Sequence, residues 1–136
     1  MKKLFFCSAF ITLLLVIVIL SACGKQKNHS LNLPEKTDII DVSYIAENES
    51  KVMVDDKKID RLLLELSSIN KKYLNSYQDT PQVSNYAKIS FRLPIGMSSD
   101  IIYIYRSDNE FFIEQPYNCI FLIDKNQYNT ITGFFN

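Results

Sequence analysis

The chain has 136 residues with 15 basic and 15 acidic side chains, so its formal net charge at neutral pH is zero. This length suits a single domain with one modest hydrophobic core. The balanced charge argues against a protein that recruits nucleic acid through its phosphates.

The first 22 residues have the layout of a bacterial secretory signal. Lys2 and Lys3 precede an almost wholly apolar run over residues 4–20, and small residues end that run. The sequence Leu-Ser-Ala-Cys at 20–23 resembles the lipobox of bacterial lipoproteins, in which a diacylglyceryl group is attached to the cysteine sulfur before cleavage. The resemblance implies that Cys23 is the lipid attachment site. It also implies an anchored chain on the outer, extracytoplasmic face of the cell membrane.

Two alternatives explain the same apolar run. It is about long enough to span a bilayer core, which needs roughly 20 apolar residues, so a retained membrane helix is one alternative. An ordinary signal cleaved after Ala22 is the other. Neither alternative explains why a cysteine stands at the cleavage junction, so lipidation at Cys23 is the favoured interpretation.

A polar segment, residues 23–36, follows and is predicted to be the lipidated N-terminus and a flexible tether. It contains His29, the only histidine of the chain. A histidine in a mobile tether argues against a Ser-His or Cys-His nucleophile and against a histidine-rich metal site. Cys119 would be the only cysteine left for a disulfide, so none is expected, and its apolar neighbours predict a buried thiol.

Residues 37–136 are predicted to form the single domain, beginning with a hairpin and a helix. Alternation around residues 40–46 predicts a strand, and residues 51–54 a second one. Asp55 and Asp56 suit the N-terminus of a helix. Its predicted apolar face consists of Ile59, Leu62, Leu63, Leu66, Ile69 and Tyr73.

A long polar loop, residues 75–85, separates this helix from a run of strands. Strands are predicted around residues 86–93, 100–106 and 111–114, with a tight turn at 107–110, and a short strand around 120–123. Asp124 and Gln127 have the spacing of a capping box that opens a terminal helix. Without the short strand at 120–123, which is an optional addition, the order predicts an α+β fold, β-β-α-β-β-β-α, with a mostly antiparallel sheet and helices packed on one face.

The aromatic strand around residue 104 provides the candidate binding site. If Ile102 and Ile104 face the helices, Tyr103 and Tyr105 lie on the opposite face of the sheet with Phe112. Exposed tyrosines there would suit a glycan, a peptide or a protein partner. Ordinary cross-strand pairing is the alternative explanation for these rings.

Residues just beyond the next strand extend the candidate site. Gln115 and Tyr117 follow the strand end, and we include them with Tyr103 and Tyr105 as predicted binding residues. Glu114 stands at the strand end, where a side chain can project into a cleft. As a general acid it would need a second carboxylate nearby, so Glu114 marks an enzymatic alternative. The sequence predicts no metal site and no cofactor.

Three stretches resemble a family of small, uncharacterised lipoproteins of low-GC Gram-positive bacteria. They are NSYQDTPQVSNYAKISF (75–91), YIYRSDNEFFIEQPYN (103–118) and IFLIDKNQYNTI (120–131), with residues 79–81 and 114–117 the most recognisable. At one position the chain departs from the family pattern, with Cys119 where a glycine is expected. The resemblance implies a location and domain boundaries, and it implies no activity.

The sequence therefore predicts a membrane-anchored lipoprotein with a small, non-enzymatic binding domain whose ligand is unknown. Its partners would be the membrane, through Cys23, and an envelope protein or glycan, with no nucleic acid. Two alternatives stay open: an enzyme that uses Glu114 on envelope glycan or peptide, and an inhibitory or structural domain for another envelope protein.

Overall fold

The computed structural model describes residues 29–94 and 100–136, so the predicted signal and Cys23 lie outside the described residues. Within the described ranges, the chain forms a short 3-10 helix (Lys36–Asp38), seven strands and two α-helices. In chain order these are β1 (Asp41–Ala46), β2 (Glu49–Met53), α1 (Asp56–Ser67), β3 (Lys72–Asn75), β4 (Tyr86–Arg92), β5 (Asp100–Ser107), β6 (Glu110–Glu114), β7 (Cys119–Ile123) and α2 (Lys125–Gly133).

The strands form one sheet in the order β2-β1-β4-β5-β6-β7-β3, and all of the described pairings are antiparallel. The predicted α+β fold with a mostly antiparallel sheet is confirmed. The tight turn between β5 and β6 is also confirmed, since Asp108 and Asn109 both have positive φ, at 49° and 65°. Such a pair of dihedrals is typical of the two-residue hairpin turn that matches the twist of its strands.

One face of the sheet carries the main hydrophobic core. Residues from the central strands pack there with the apolar faces of both helices; among those most completely buried are Val42, Ile89, Phe91, Ile102, Ile104, Ile113, Phe121, Ile59, Leu62, Leu66 and Ile131. Each helix is capped as its sequence predicts. The Asp55 carboxylate accepts from the Lys58 N–H, and Asp124 and Gln127 form a complete capping box.

The first helix is shorter than predicted, because Tyr73 belongs to a strand. Helix α1 ends at Ser67, whose hydroxyl donates to the Leu64 carbonyl oxygen at 2.8 Å. Strand β3 follows and pairs with β7 at the edge of the sheet. The helical spacing of apolar residues continues through Ile69. The conformation of β3 is nevertheless decided by its pairing with β7, whose residues lie nearly fifty positions later in the sequence.

The opposite face of the sheet carries a second, smaller cluster of Tyr103, Tyr105 and Phe112. Their position opposite the helices confirms the predicted alternation. Their predicted exposure is wrong, because Tyr103 and Tyr105 are only 5% and 7% exposed. Val83, from the loop between β3 and β4, packs on this cluster, so the polar loop contributes to covering the rings.

The described part of the predicted tether packs against the domain. Leu31 is 6% exposed and belongs to the main core, so the folded unit begins before residue 37. None of the helices in the described ranges has the length and apolarity needed to cross a bilayer.

Candidate functional site

A cavity of about 290 Å³ lies between the helix-free face of the sheet and the segment that follows α1. Tyr105, Phe112 and Glu114 line it and are buried, whereas Tyr73 and Tyr77 line it from exposed positions. The buried side chains therefore form the floor of the cavity, and the exposed rings form its rim.

Glu114 is the charged group on the floor. It is 4% exposed, and both of its carboxylate oxygens accept a hydrogen bond from a hydroxyl. Ser76 Oγ donates to Oε1 at 2.6 Å, and the Tyr105 hydroxyl donates to Oε2 at 3.1 Å. Ser76 is itself buried, and its backbone N–H donates to the Asn118 carbonyl oxygen at 3.3 Å. The carboxylate is thus held by two neutral donors.

The register of the sheet brings these groups together. Tyr105 lies directly opposite Phe112 across β5 and β6, and their rings stack at 5.5 Å. Glu114, two residues beyond Phe112, therefore emerges on the same face. Tyr73, on β3, completes the aromatic wall with its ring 5.3 Å from that of Phe112.

The phenols next to Glu114 are held in their neutral form. Burial raises the pKa of Tyr105. The nearby charge of Glu114 and the hydrogen bond from Tyr105 to Glu114 raise this pKa further. Burial likewise raises the pKa of Tyr103, with smaller contributions from Tyr86, Asp79 and Glu114. Both hydroxyls consequently remain hydrogen-bond donors over the physiological range of pH.

The four predicted binding residues fall into two neighbouring depressions. Tyr105 lines the cavity, whereas Tyr103, Gln115 and Tyr117 line an adjoining depression with Asp79. Tyr117 is 67% exposed, and its hydroxyl donates to Asp79 Oδ1 at 2.8 Å. Its φ of 57° is a left-handed conformation that costs a residue with a Cβ roughly 1–2 kcal/mol.

Gln115 is occupied within the protein. Its side-chain amide accepts from the Asn32 N–H at 2.8 Å and donates to the Asn32 carbonyl oxygen at 2.7 Å. Asn118 Nδ2 donates to the same Gln115 oxygen at 2.7 Å and to the Ser30 carbonyl oxygen at 3.2 Å. Gln115 and Asn118 therefore fix the N-terminal segment to the turn between β6 and β7.

This attachment places His29 beside Cys119, contrary to the prediction that His29 belongs to a mobile tether. His29 Nδ1 lies 3.8 Å from Cys119 Sγ, and its Nε2 lies 3.4 Å from Lys72 Nζ. The thiol is buried, as predicted, with 2% exposure. The N-terminal segment covers the Cys119 thiol. We therefore interpret the contact between His29 and Cys119 as packing and not as an accessible nucleophile with its base.

Sequence reasoning missed most of the residues that line the cavity, among them Tyr73, Ser76 and Glu110. The first was assigned to the helix and the second to a polar loop. The available signal was the pair of aromatic residues, Tyr73 and Tyr77, in an otherwise polar stretch. In the described ranges, no group of three or more His, Cys, Asp or Glu side chains is arranged to hold a metal ion.

Comparisons with known proteins extend this description. A family model described as "Domain of unknown function (DUF5300)" matches residues 27–122. The fold is similar to an NMR structure of a protein from Ruminococcus gnavus, with 24% sequence identity and a TM-score of 0.59, covering 72% of this chain and 98% of that one. This likeness shows the fold alone. No curated protein sequence matches the chain.

Proposed function

We propose that this chain, which belongs to the family described as a domain of unknown function (DUF5300), is an extracytoplasmic lipoprotein, anchored through Cys23, whose domain binds an envelope partner. The observation that carries the anchor is the Leu-Ser-Ala-Cys sequence directly after an apolar run. Two lipid chains hold a protein stably at a membrane, whereas one holds it only marginally. The cavity above Glu114 is the proposed binding site.

The attachment of the N-terminal segment supports a location close to the membrane. Ser30 is already hydrogen-bonded to Asn118, so residues 24–29 alone would connect a lipid on Cys23 to the folded domain. The seven residue steps from Cys23 to Ser30 span at most about 25 Å when fully extended. The turn between β6 and β7 would then be the part of the sheet nearest the lipid headgroups.

The geometry favours binding over catalysis. Glycoside hydrolysis needs two carboxylates about 5 to 10 Å apart. Glu110 is the nearest glutamate along β6 that lines the same cavity, but it is exposed to solvent, whereas Glu114 is buried. Both oxygens of Glu114 are also engaged by hydroxyl donors, which suits a fixed acceptor for a ligand.

Lipid attachment has a direct test with matched cysteine variants. Bacteria that express the full chain are grown with a fatty-acid analogue, and the labelled protein is measured. We expect the label on the wild type, on Cys7→Ala and on Cys119→Ala, and none on Cys23→Ala. Label retained by Cys23→Ala, or missing from the wild type, would contradict the anchor.

A further inference from the structure

The charges and rings of the cavity define a class of ligand. We propose that it binds a primary alkylammonium group, such as the end of a lysine side chain on a peptide. This inference rests on the proposed binding role and names the chemistry that the site would recognise.

The first argument is the unbalanced charge of the cavity. Glu114 is buried, and no salt bridge to it exists in the part of the chain that the structure describes. Asp108 and Glu110 add two acidic groups at exposed positions, and the described lining contains no Lys, Arg or His. Buried charges in proteins are normally paired, so a site of this kind favours a cation.

The second argument is the aromatic wall. Tyr73, Tyr77, Tyr105 and Phe112 line the cavity, which gives any bound group several ring faces. A cation over a ring face is attracted by the ring quadrupole, and the attraction grows as the site loses water. The same rings contact the methylene groups of an alkyl chain, so ammonium and chain would both be recognised.

Hydrogen-bonding capacity and size agree with this ligand. An ionised carboxylate has about four acceptor positions, and Ser76 and Tyr105 use two of those on Glu114. An ammonium group carries three donors and can bind there without displacing either hydroxyl. A volume of about 290 Å³ is at the lower limit of ligand pockets, which suits a side chain rather than a large ligand.

Competing ligand classes fit less well. An anion would meet the buried carboxylate of Glu114, which is unfavourable at low dielectric, and the exposed carboxylates of Asp108 and Glu110 would add to the repulsion. A neutral sugar could use the rings and hydroxyls but would leave the buried charge of Glu114 without a counter-charge.

The test is a titration of the full chain with butylammonium, and with 1-butanol as a neutral probe of similar size. NMR spectra of ring-labelled Tyr and Phe report contacts at Tyr105 and Phe112. We expect saturable shifts with butylammonium and none with butanol at equal concentration. Glu114→Gln should weaken butylammonium binding at least tenfold, and Glu110→Gln, at an exposed position, about threefold.

Glu47→Gln, in the turn between β1 and β2, is the matched control and should leave the affinity unchanged. If butanol binds as tightly as butylammonium, or if Glu114→Gln and Glu110→Gln both keep the full affinity for butylammonium, the proposed preference for a cation is overturned. The cavity would then still bind small ligands, but not because of their charge. No saturable shift with either probe would also overturn the proposal. The lipid anchor is decided separately by fatty-acid labelling, so the two failures are distinguishable.

Discussion

At the scale of single residues, Tyr105 connects the cavity to the stability of the fold. Its ring packs on Phe112, and its hydroxyl holds Glu114 at 3.1 Å. Burial raises the pKa of Tyr105 above its ordinary value near 10. In the unfolded chain the phenol loses its proton near pH 10, whereas in the folded domain it keeps the proton to higher pH. The folded state therefore binds more protons above pH 10, and stability falls as pH rises.

We predict a specific effect of Tyr105→Phe on this dependence. The variant keeps the ring but removes the ionisable hydroxyl, so the free energy of unfolding should drop by about 2 kcal/mol at pH 8. Above pH 10 it should fall less steeply with pH than that of the wild type. Denaturant unfolding at several pH values measures both effects. Tyr77→Phe, at an exposed position, is the control, and equal slopes in the wild type and Tyr105→Phe would contradict the assignment.

Residue-scale features were predictable from the sequence where they depend on near neighbours. The capping box of Asp124 and Gln127 was predicted because its two residues stand three apart. The contact of Ser76 with Glu114 joins residues 38 positions apart, and no local pattern indicates it. The same limit explains why Gln115 was assigned to a ligand rather than to Asn32.

At the scale of elements, the N-terminal segment is held by the turn between β6 and β7. We predict that Gln115→Ala releases it, because the side-chain amide makes both hydrogen bonds to the Asn32 backbone. Amide exchange at Leu31 and Asn32 should become about tenfold faster, the equivalent of the ~1.4 kcal/mol that one or two hydrogen bonds supply.

Hydrogen-exchange mass spectrometry or NMR measures this release. Gln78→Ala, in the exposed loop after β3, is the matched control and should leave the exchange of Leu31 and Asn32 unchanged. Unaltered protection of this segment in Gln115→Ala would show that the burial of Leu31 and the hydrogen bond from Asn118 to Ser30 hold it in place without Gln115.

Elements were predictable where periodicity is regular. The alternation of β4 and β5 and the apolar face of α1 predicted strands, a helix and the side of the sheet that each residue faces. Strand β3 was missed because four residues carry little local signal and their conformation depends on β7. The sequence predicts a tether before residue 37 because one apolar residue, Leu31, does not form a periodic pattern that would indicate burial.

At the scale of the whole molecule, the proposed anchor and the docked segment together predict an orientation. The turn that contains Tyr117 should lie near the membrane. Glu110 stands at the other end of β6, about 14 Å from the strand end that leads into this turn, and should lie farther from the membrane. A fluorophore on Tyr117→Cys should therefore be quenched more strongly by headgroup nitroxide lipids than one on Glu110→Cys.

The chain allows this labelling to be selective. Cys119 is buried, Cys7 would leave with the signal, and Cys23 would carry lipid, so the introduced cysteine would be the accessible thiol. Equal quenching at the two positions, or stronger quenching at Glu110→Cys, would contradict the proposed orientation while leaving lipidation to be tested on its own.

The fold class followed from the order of periodic segments, whereas the site did not. The cavity is built from β3, the loop after it and the face of β5 and β6, and its closure depends on how that loop packs. The sequence identified Tyr105 and Glu114 individually, but their shared hydrogen bond became visible only with the register of the sheet.

The most direct test of the anchored state is the intact mass of the full chain purified from bacterial membranes. We predict a polypeptide that begins at Cys23 and carries the added mass of a diacylglyceryl group on that residue. A chain that still begins at Met1, or one with an unmodified Cys23, would contradict the proposal that this domain is a lipoprotein.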